Sequence, residues 1–372
     1  MTRCDVLIVG GGPAGSSCAA QLRRAGLDVL VLDRQEFPRD KTCAGWVTPQ
    51  VMNTLEIDLG DYAAGRTLQP ITGFHTGLIG RDVVENHYDQ TVSYGIRRCE
   101  FDHYLLQRCG ARTMLGVPLK SMEREQNRWL VNGEIDTPLV IGAGGHFCPV
   151  ARRLGARSQE NASVVAAQEI EFEASPADLE RGSARPEVPE LYFCPDLKGY
   201  GWCFRKDRFL NIGLGRVNAK NLSDHVAEFC EFLRRRGTVS GEIPLRFHGH
   251  AYQLYERVDP TLVDEGVLLI GDSAGLAYPQ SGEGIRPAVE SGILAAETIL
   301  AAEGNYSQER LRPYAVQLRD RFGKPRKNAI SGWLPAAWLQ AVAARLLVNR
   351  SFARKVVIDR WFLHTQQPQL QA

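Results

Sequence analysis

No C-x-x-C pair occurs in the sequence, and its nine cysteines (4, 18, 43, 99, 109, 148, 194, 203 and 230) are scattered singly. That spacing leaves neither a zinc ribbon nor a clustered iron–sulfur site to read, so no metal is expected. An odd, dispersed set points to reduced thiols in the cytoplasm. Charge of one sign is also missing: 44 Lys and Arg against 43 Asp and Glu give a formal +1, which offers no global attraction to nucleic acid. Long apolar runs are missing too. The longest, Trp333 to Val348, is broken by Gln340 and Arg345 and falls short of the roughly 20 residues that cross a bilayer. No internal repeat or low-complexity tract is found, and no signal-peptide pattern precedes the first apolar run. A cytoplasmic protein is the expectation.

What is present is a chain of 372 residues, 44% hydrophobic and 23% charged, enough for two or three domains with a sizeable core. Asp5-Val6-Leu7-Ile8-Val9 reads as a short buried parallel strand that delivers Gly10-Gly11-Gly12-Pro13-Ala14-Gly15. In that pattern Gly10 permits a tight turn, Gly12 lets the backbone approach a pyrophosphate, and Gly15 lets the next helix lie close to the strand. Pro13 suits the first helical turn. The helix should stop at Gly26, and Val29-Leu30-Val31-Leu32 is then a second strand ending in Asp33. Asp33, 18 residues past Gly15, is placed to accept ribose hydroxyl hydrogen bonds, which argues against a 2′-phosphate there. This unit by itself leaves NAD and FAD both open.

A second loop decides between them. Val267-Leu268-Leu269-Ile270 is another buried-strand run, followed by Gly271-Asp272-Ser273-Ala274-Gly275, Pro279 and Gly282-Glu283-Gly284-Ile285. A helix begins there, with Pro287 in its first turn and Ala288, Val289, Ile293, Leu294, Ala295 and Ala296 on its apolar side. A helix N-terminus offers free amides and about half a positive charge to the anionic edge of a reduced flavin. Gly282 and Gly284 let those amides come close, and Asp272 suits a ribitol hydroxyl. Two glycine-rich loops in this order point to bound FAD.

The chain here resembles the geranylgeranyl reductase family, within the p-hydroxybenzoate hydroxylase-like flavoprotein superfamily. Arg39-Asp40-Lys41-Thr42-Cys43-Ala44-Gly45 resembles the family's K-x-C-(A/G)-G segment, and Arg97-Arg98-Cys99-Glu100-Phe101-Asp102 its R-R-x-x-F-D helix start. Gly199-Tyr200-Gly201-Trp202-Cys203-Phe204 resembles its Y-x-W-x-F-P motif. Arg205 stands where the family usually has proline, and Gly144 where it usually has aspartate. The resemblance implies Arg34, Arg39, Lys41, Ala44, Gly45 and Arg98 as further FAD contacts. It also implies an α/β fold: a Rossmann-type FAD-binding domain (1–60, 95–160 and 262–300), an inserted antiparallel β-sheet substrate domain (61–94 and 161–261) and a C-terminal helical region (301–372).

Within that plan, Glu190 to Cys194, Tyr200 to Phe204 and Phe209 to Leu214 read as strands, with Lys206-Asp207 as a hairpin turn and residues 173 to 189 as an exposed connection. Gly142-Ala143-Gly144-Gly145 follows a strand without a later strand-end acid, so it reads as the closing crossover of the FAD domain. NADPH, as electron donor, would bind without its own Rossmann domain.

Several chemistries share this scaffold. The resemblance favours reduction of prenyl-type double bonds in an apolar small molecule by hydride from reduced flavin, with Cys43 as proton source or pocket wall and Tyr200 and Trp202 lining an apolar channel. Oxygen activation for hydroxylation, electron exchange with a quinone, and FAD binding without turnover stay open as alternatives. The tail carries Arg321, Lys324, Arg326, Lys327, Arg345, Arg350, Arg354, Lys355 and Arg360, opposed after Arg321 only by Asp359. Pro335 and Ser351 are placed to open two apolar helices there. Such a tail either packs on the substrate domain or makes peripheral contact with an anionic membrane.

Overall fold

The computed structural model describes residues 1–156, 164–217, 220–255, 261–323 and 336–370. Val6–Val9 and Val29–Leu32 are fully buried strands paired in parallel, Val6 beside Val29 through Val9 beside Leu32. Their continuous apolar run is explained by burial of both sheet faces. The sheet holds six strands in the order Val263–Asp264, Val267–Leu269, Val140–Gly142, Val6–Val9, Val29–Leu32, Arg112–Met114; every neighbouring pair is parallel except the hairpin at one edge. From Val6–Val9 the chain crosses first to one side and later to the other. The carboxyl end of that strand is therefore the topological switch point, where open α/β sheets bind ligands.

Helix Pro13–Arg24 rises from that point and packs against helix Ile285–Ala301. A Cβ at Gly15 would collide with the Gly10 carbonyl oxygen, so only glycine lets the helix leave the strand at this angle. Gly271 donates its amide hydrogen to Ser291 Oγ at 2.9 Å, which seats the second loop on the second helix. The two glycine-rich loops thus open side by side. Helix Ile285–Ala301 is buried on nearly all sides, not on one apolar stripe: Arg286 and Glu290 are each 2% exposed. They can be buried because Arg286 bonds Glu290 at 2.9 Å and Arg321 reaches the same carboxylate at 2.8 Å.

A second sheet stands over this end of the first. Its order is His248–Gln253, Val164–Glu173, Phe209–Val217, Gly199–Lys206, Glu190–Phe193, Gly73–Leu78, Val83–His87. All pairs are antiparallel except Glu190–Phe193 with Gly73–Leu78, which come from different insertions and need no hairpin between them. Alternation along each strand divides the side chains. Tyr192, Cys203, Ile212 and Leu214 face helix Leu222–Arg235, while Leu191, Trp202, Phe204, Phe74 and Leu78 face the other way.

Three local expectations are corrected. Lys206 is the last residue of its strand rather than part of the turn, and at 1% exposure it is buried against Glu171 at 2.8 Å. The connection at 173–189 contains a short helix, Pro176–Arg181, started by Ser175 Oγ accepting from the Asp178 amide at 3.2 Å. In the tail, Asn349 and not Ser351 caps the helical turn Arg350–Phe352, accepting from the Phe352 amide at 3.0 Å. That turn runs into a π-type helix, Ala353–Phe362, which buries Val357, Ile358 and Phe362 against the Trp202 side of the second sheet. Helix Ala336–Leu347 precedes it and buries Leu347 in the same place. Lys324, Arg326, Lys327 and Pro335 lie outside the described residues. Among the described residues no helix is long and apolar enough to cross a membrane.

Candidate functional site

The first glycine loop forms a cradle for an anion. Helix Pro13–Arg24 has Gly12 at its cap, no side-chain cap and no acid in its first turn, so its leading amides and positive dipole end are available. A Cβ at Gly12 would meet only the Arg39 guanidinium, at 3.4 Å; the protein leaves that approach open. Asp33 does not stand free beside the loop. Its Oδ2 accepts from the Gly11 amide at 2.7 Å and its Oδ1 from the Gln35 amide at 2.9 Å. Arg34 is exposed. Arg39 reaches Asp102 at 3.3 Å, and Arg98 grips the same fully buried carboxylate at 2.8 and 2.9 Å.

The second loop supplies the other wall. Gly271–Ala274 is a single helical turn closed by Gly275 in the left-handed region. Pro279 and Gly282 lead to Gly284, which caps helix Ile285–Ala301 without a side-chain bond. Glu283 Oε1 accepts from the Arg286 amide at 2.6 Å, and burial raises its pKa to about 7. Ile285 is 5% exposed and packs with Val47, Val51 and Phe101. Asp272 lies 3.7 Å from His250, whose Nε2 is 2.6 Å from Lys41 Nζ. Burial lowers the Lys41 pKa to about 8, with Asp272 opposing and Arg98 and Arg39 adding to the shift. Burial also lowers His250, while it works against the Asp272 carboxylate, which His250 and Lys41 nevertheless hold below its ordinary range. Lys41 and Asp272, far apart in sequence, thus share one polar chain through His250.

Sequence reasoning missed His250. The alternation of His248, His250 and Tyr252 along one strand was the available signal, since residues two apart share a face.

Between these loops and the second sheet runs Lys41 to Gly45. Gly45 has φ +64°, and a Cβ there would collide with the Ile96 carbonyl and with Lys206 Nζ. Ala44 packs with the aromatic side chains of the sheet face. The Cys43 amide donates to Glu169 Oε2 at 2.9 Å, and the Cys43 carbonyl accepts from Asn211 Nδ2 at 3.1 Å. Trp202, 5% exposed, uses its indole N–H on Asn211 Oδ1 at 2.7 Å, so it holds the loop's support instead of standing free in a channel. Tyr200 donates its hydroxyl to the Ser281 carbonyl in the second loop. Tyr200 and Trp46 both pack on Phe362 of the tail, with ring centroids 5.3 and 5.6 Å apart. Trp46 and Phe362 belong to this apolar wall and carried no motif that marks them in the sequence.

The donor set fits FAD. An uncapped helix start with room at Gly12 and an acid at each strand end are what its diphosphate and hydroxyls require.

Comparison with known proteins agrees. The FAD binding domain family matches residues 3–324. A geranylgeranyl diphosphate reductase of Rhodobacter capsulatus is 30% identical over 318 residues, covering 80% of this chain and 75% of that protein. A menaquinone reductase of Mycobacterium tuberculosis is 29% identical over 343 residues, covering 86% and 81%. A solved geranylgeranyl bacteriochlorophyll reductase-like protein from Thermoplasma acidophilum shares the fold with a TM-score of 0.77 over 98% of each chain, at 20% identity. The cradle, the second loop and these matches together place the chain in the FAD binding domain family, as a member of the geranylgeranyl reductase family of FAD-dependent oxidoreductases.

Proposed function

We propose that the enzyme reduces carbon–carbon double bonds in the isoprenoid chain of an apolar substrate. The observation that carries this reading is the position of Cys43, whose peptide is held against the aromatic face of the second sheet while Lys41 beside it joins the chain to Asp272. Bound FAD, once reduced, supplies the hydride. The chain's own residues do the rest. Trp46, Tyr200 and Phe362 pack as one aromatic cluster beside Cys43 and Ala44, an apolar surface suited to an isoprenoid chain. Cys43 Sγ holds the proton that the second carbon receives, and the Gly45 amide donates to that sulfur at 3.4 Å.

The electron donor in this reading is NADPH, docked without a nucleotide domain of its own. Substrate would be collected at a lipid surface. Val342, Leu346 and Val348 are about two-fifths exposed (39%, 39% and 42%), and Arg345, Arg350, Arg354 and Lys355 are exposed around them. Apolar side chains ringed by cations suit the interface of an anionic membrane.

The names of both relatives point to substrates that carry an isoprenoid chain, which supports this reading. The test is product analysis after anaerobic incubation of the reduced enzyme with a polyprenyl diphosphate or a polyprenyl quinone. Gain of two hydrogens per double bond in the chain supports the reading. Conversion of the quinone ring to the quinol with an unaltered chain would replace it with quinone reduction.

A further inference from the structure

Beneath Cys43 lies a buried polar group that the proposed reaction does not use. Glu169, 6% exposed, stands on strand Val164–Glu173 opposite Gly213 on one side and His248 on the other. Its Oε2 accepts from the Cys43 amide at 2.9 Å and its Oε1 from Asn211 Nδ2 at 3.1 Å. Asn211 Nδ2 also reaches the Cys43 carbonyl at 3.1 Å. The Asn211 amide can be oriented in only one way, because the Trp202 indole that meets its other end is a donor and nothing else. One side chain therefore grips the Cys43 peptide by its N–H and the other by its C=O.

We infer that Glu169 and Asn211 form a clamp that positions Cys43, and that the ionisation state of Glu169 closes and opens it. The reason is donor arithmetic. Both groups facing the Glu169 carboxyl, the Cys43 amide and the Asn211 Nδ2, are donors, so both carboxyl oxygens must accept. A protonated carboxyl turns one of its oxygens into a donor and a much poorer acceptor, and the grip on that oxygen weakens.

The surroundings set where this happens. Burial raises the Glu169 pKa to about 7, Glu171 two residues along pushes the same way, and the Cys43 amide, Lys206 and Asn211 oppose the shift. Lys206 is itself engaged by Glu171 at 2.8 Å, and Glu171 also takes Arg97 at 3.1 Å, so neither cation is free to neutralise Glu169. From the edge strand, His248 pairs directly across, while His250 is turned to Lys41 and Asp272. Glu169 thus acts through Cys43 as a positioning residue.

The catalytic consequence rests on the reading of Cys43 given above, but the clamp itself does not. It is tested by the rate at which iodoacetamide alkylates Cys43 in the FAD-loaded protein, followed by peptide mass spectrometry from acid to alkaline pH. Glu169→Gln keeps the shape and cannot ionise; Asn211→Ser removes the second grip without changing charge. At low pH both variants should label as fast as wild type, whose clamp is then open. Above about pH 7 both should label about five-fold faster than wild type, the worth of one ordinary hydrogen bond. A rate ratio for Glu169→Gln that does not change with pH would overturn the inference. A step for Glu169→Gln with no effect of Asn211→Ser at any pH would also overturn it, because the influence on Cys43 would then be charge alone. In the complete reaction, Glu169→Gln should remove an inflection near neutral pH from flavin reoxidation by substrate and leave flavin reduction unchanged.

Discussion

Asp33 accepts the amide hydrogen of Gly11 at 2.7 Å, so the acid at the end of the second strand braces the first glycine loop from within. A ribose contact, if made, is a second duty of the same carboxylate. Asp33→Ala should therefore destabilise the apoprotein, leaving the buried Gly11 amide without a partner at a cost of about 1–3 kcal/mol. Thermal melting of apoprotein checks this: a midpoint several degrees lower is expected, and an unchanged midpoint would reduce Asp33 to a cofactor contact.

Gly12 behaves differently. Its φ of −73° is open to any residue, and a side chain there would meet only Arg39. Gly12→Val should fold normally and yet purify without flavin, since a branched Cβ would occupy the space of the pyrophosphate. Asp272→Ala should weaken FAD by about 10- to 100-fold, the value of a charge-assisted hydrogen bond. Absorbance of the purified variants reads both outcomes, and yellow Gly12→Val protein would remove the cradle from this loop.

The two loops were legible in the sequence because glycine, proline and strand-end acids are local demands of backbone geometry. The strands around Tyr200 and Trp202 were legible for a similar reason, alternation in an apolar run. His250, Glu169 and Lys206 were not legible. Each is a polar residue in a strand, and burial at such positions is decided by partners that arrive from elsewhere: Lys41 for His250, the Cys43 amide for Glu169, Glu171 for Lys206. Trp202 illustrates the same limit, since its place on the strand was readable and its bond to Asn211 was not.

Lys41 has its pKa lowered to about 8, chiefly by burial, so it is a cation at neutral pH and loses that charge as pH rises through about 8. A cation beside Asp272 at the flavin loop helps to hold an anionic cofactor. FAD affinity should fall as pH rises through that value in the wild type. In Lys41→Met it should start about 10-fold weaker, the low end for a charge-assisted bond, and show no such fall. Equilibrium dialysis of FAD across this range is the measurement, and a flat wild-type curve would contradict the assignment.

The tail is part of the fold. Ile358 and Phe362 are buried against the second sheet, so truncation would expose core, and membrane contact is better probed on the surface. Val342→Glu with Leu346→Glu replaces two exposed apolar side chains by anions. Wild type should co-sediment with anionic vesicles at low salt and be released at high salt, and the double variant should stay in the supernatant while keeping its flavin. Wild-type protein that never sediments would leave the tail a purely structural element.

The proposed reaction delivers the electrons of the reduced enzyme to an isoprenoid double bond beside Cys43 and the aromatic cluster of Trp46, Tyr200 and Phe362. Cys43→Ser should keep FAD and its rate of reduction while slowing this delivery by about 100- to 10,000-fold, the range lost with a proton donor. The direct measurement is anaerobic stopped-flow absorbance of the reduced enzyme mixed separately with a polyprenyl lipid, a short-chain quinone and oxygen. The polyprenyl lipid should reoxidise the flavin fastest, and Cys43→Ser should slow this phase alone. Fast reoxidation by the quinone or by oxygen, with a polyprenyl lipid that leaves the flavin reduced, would contradict it.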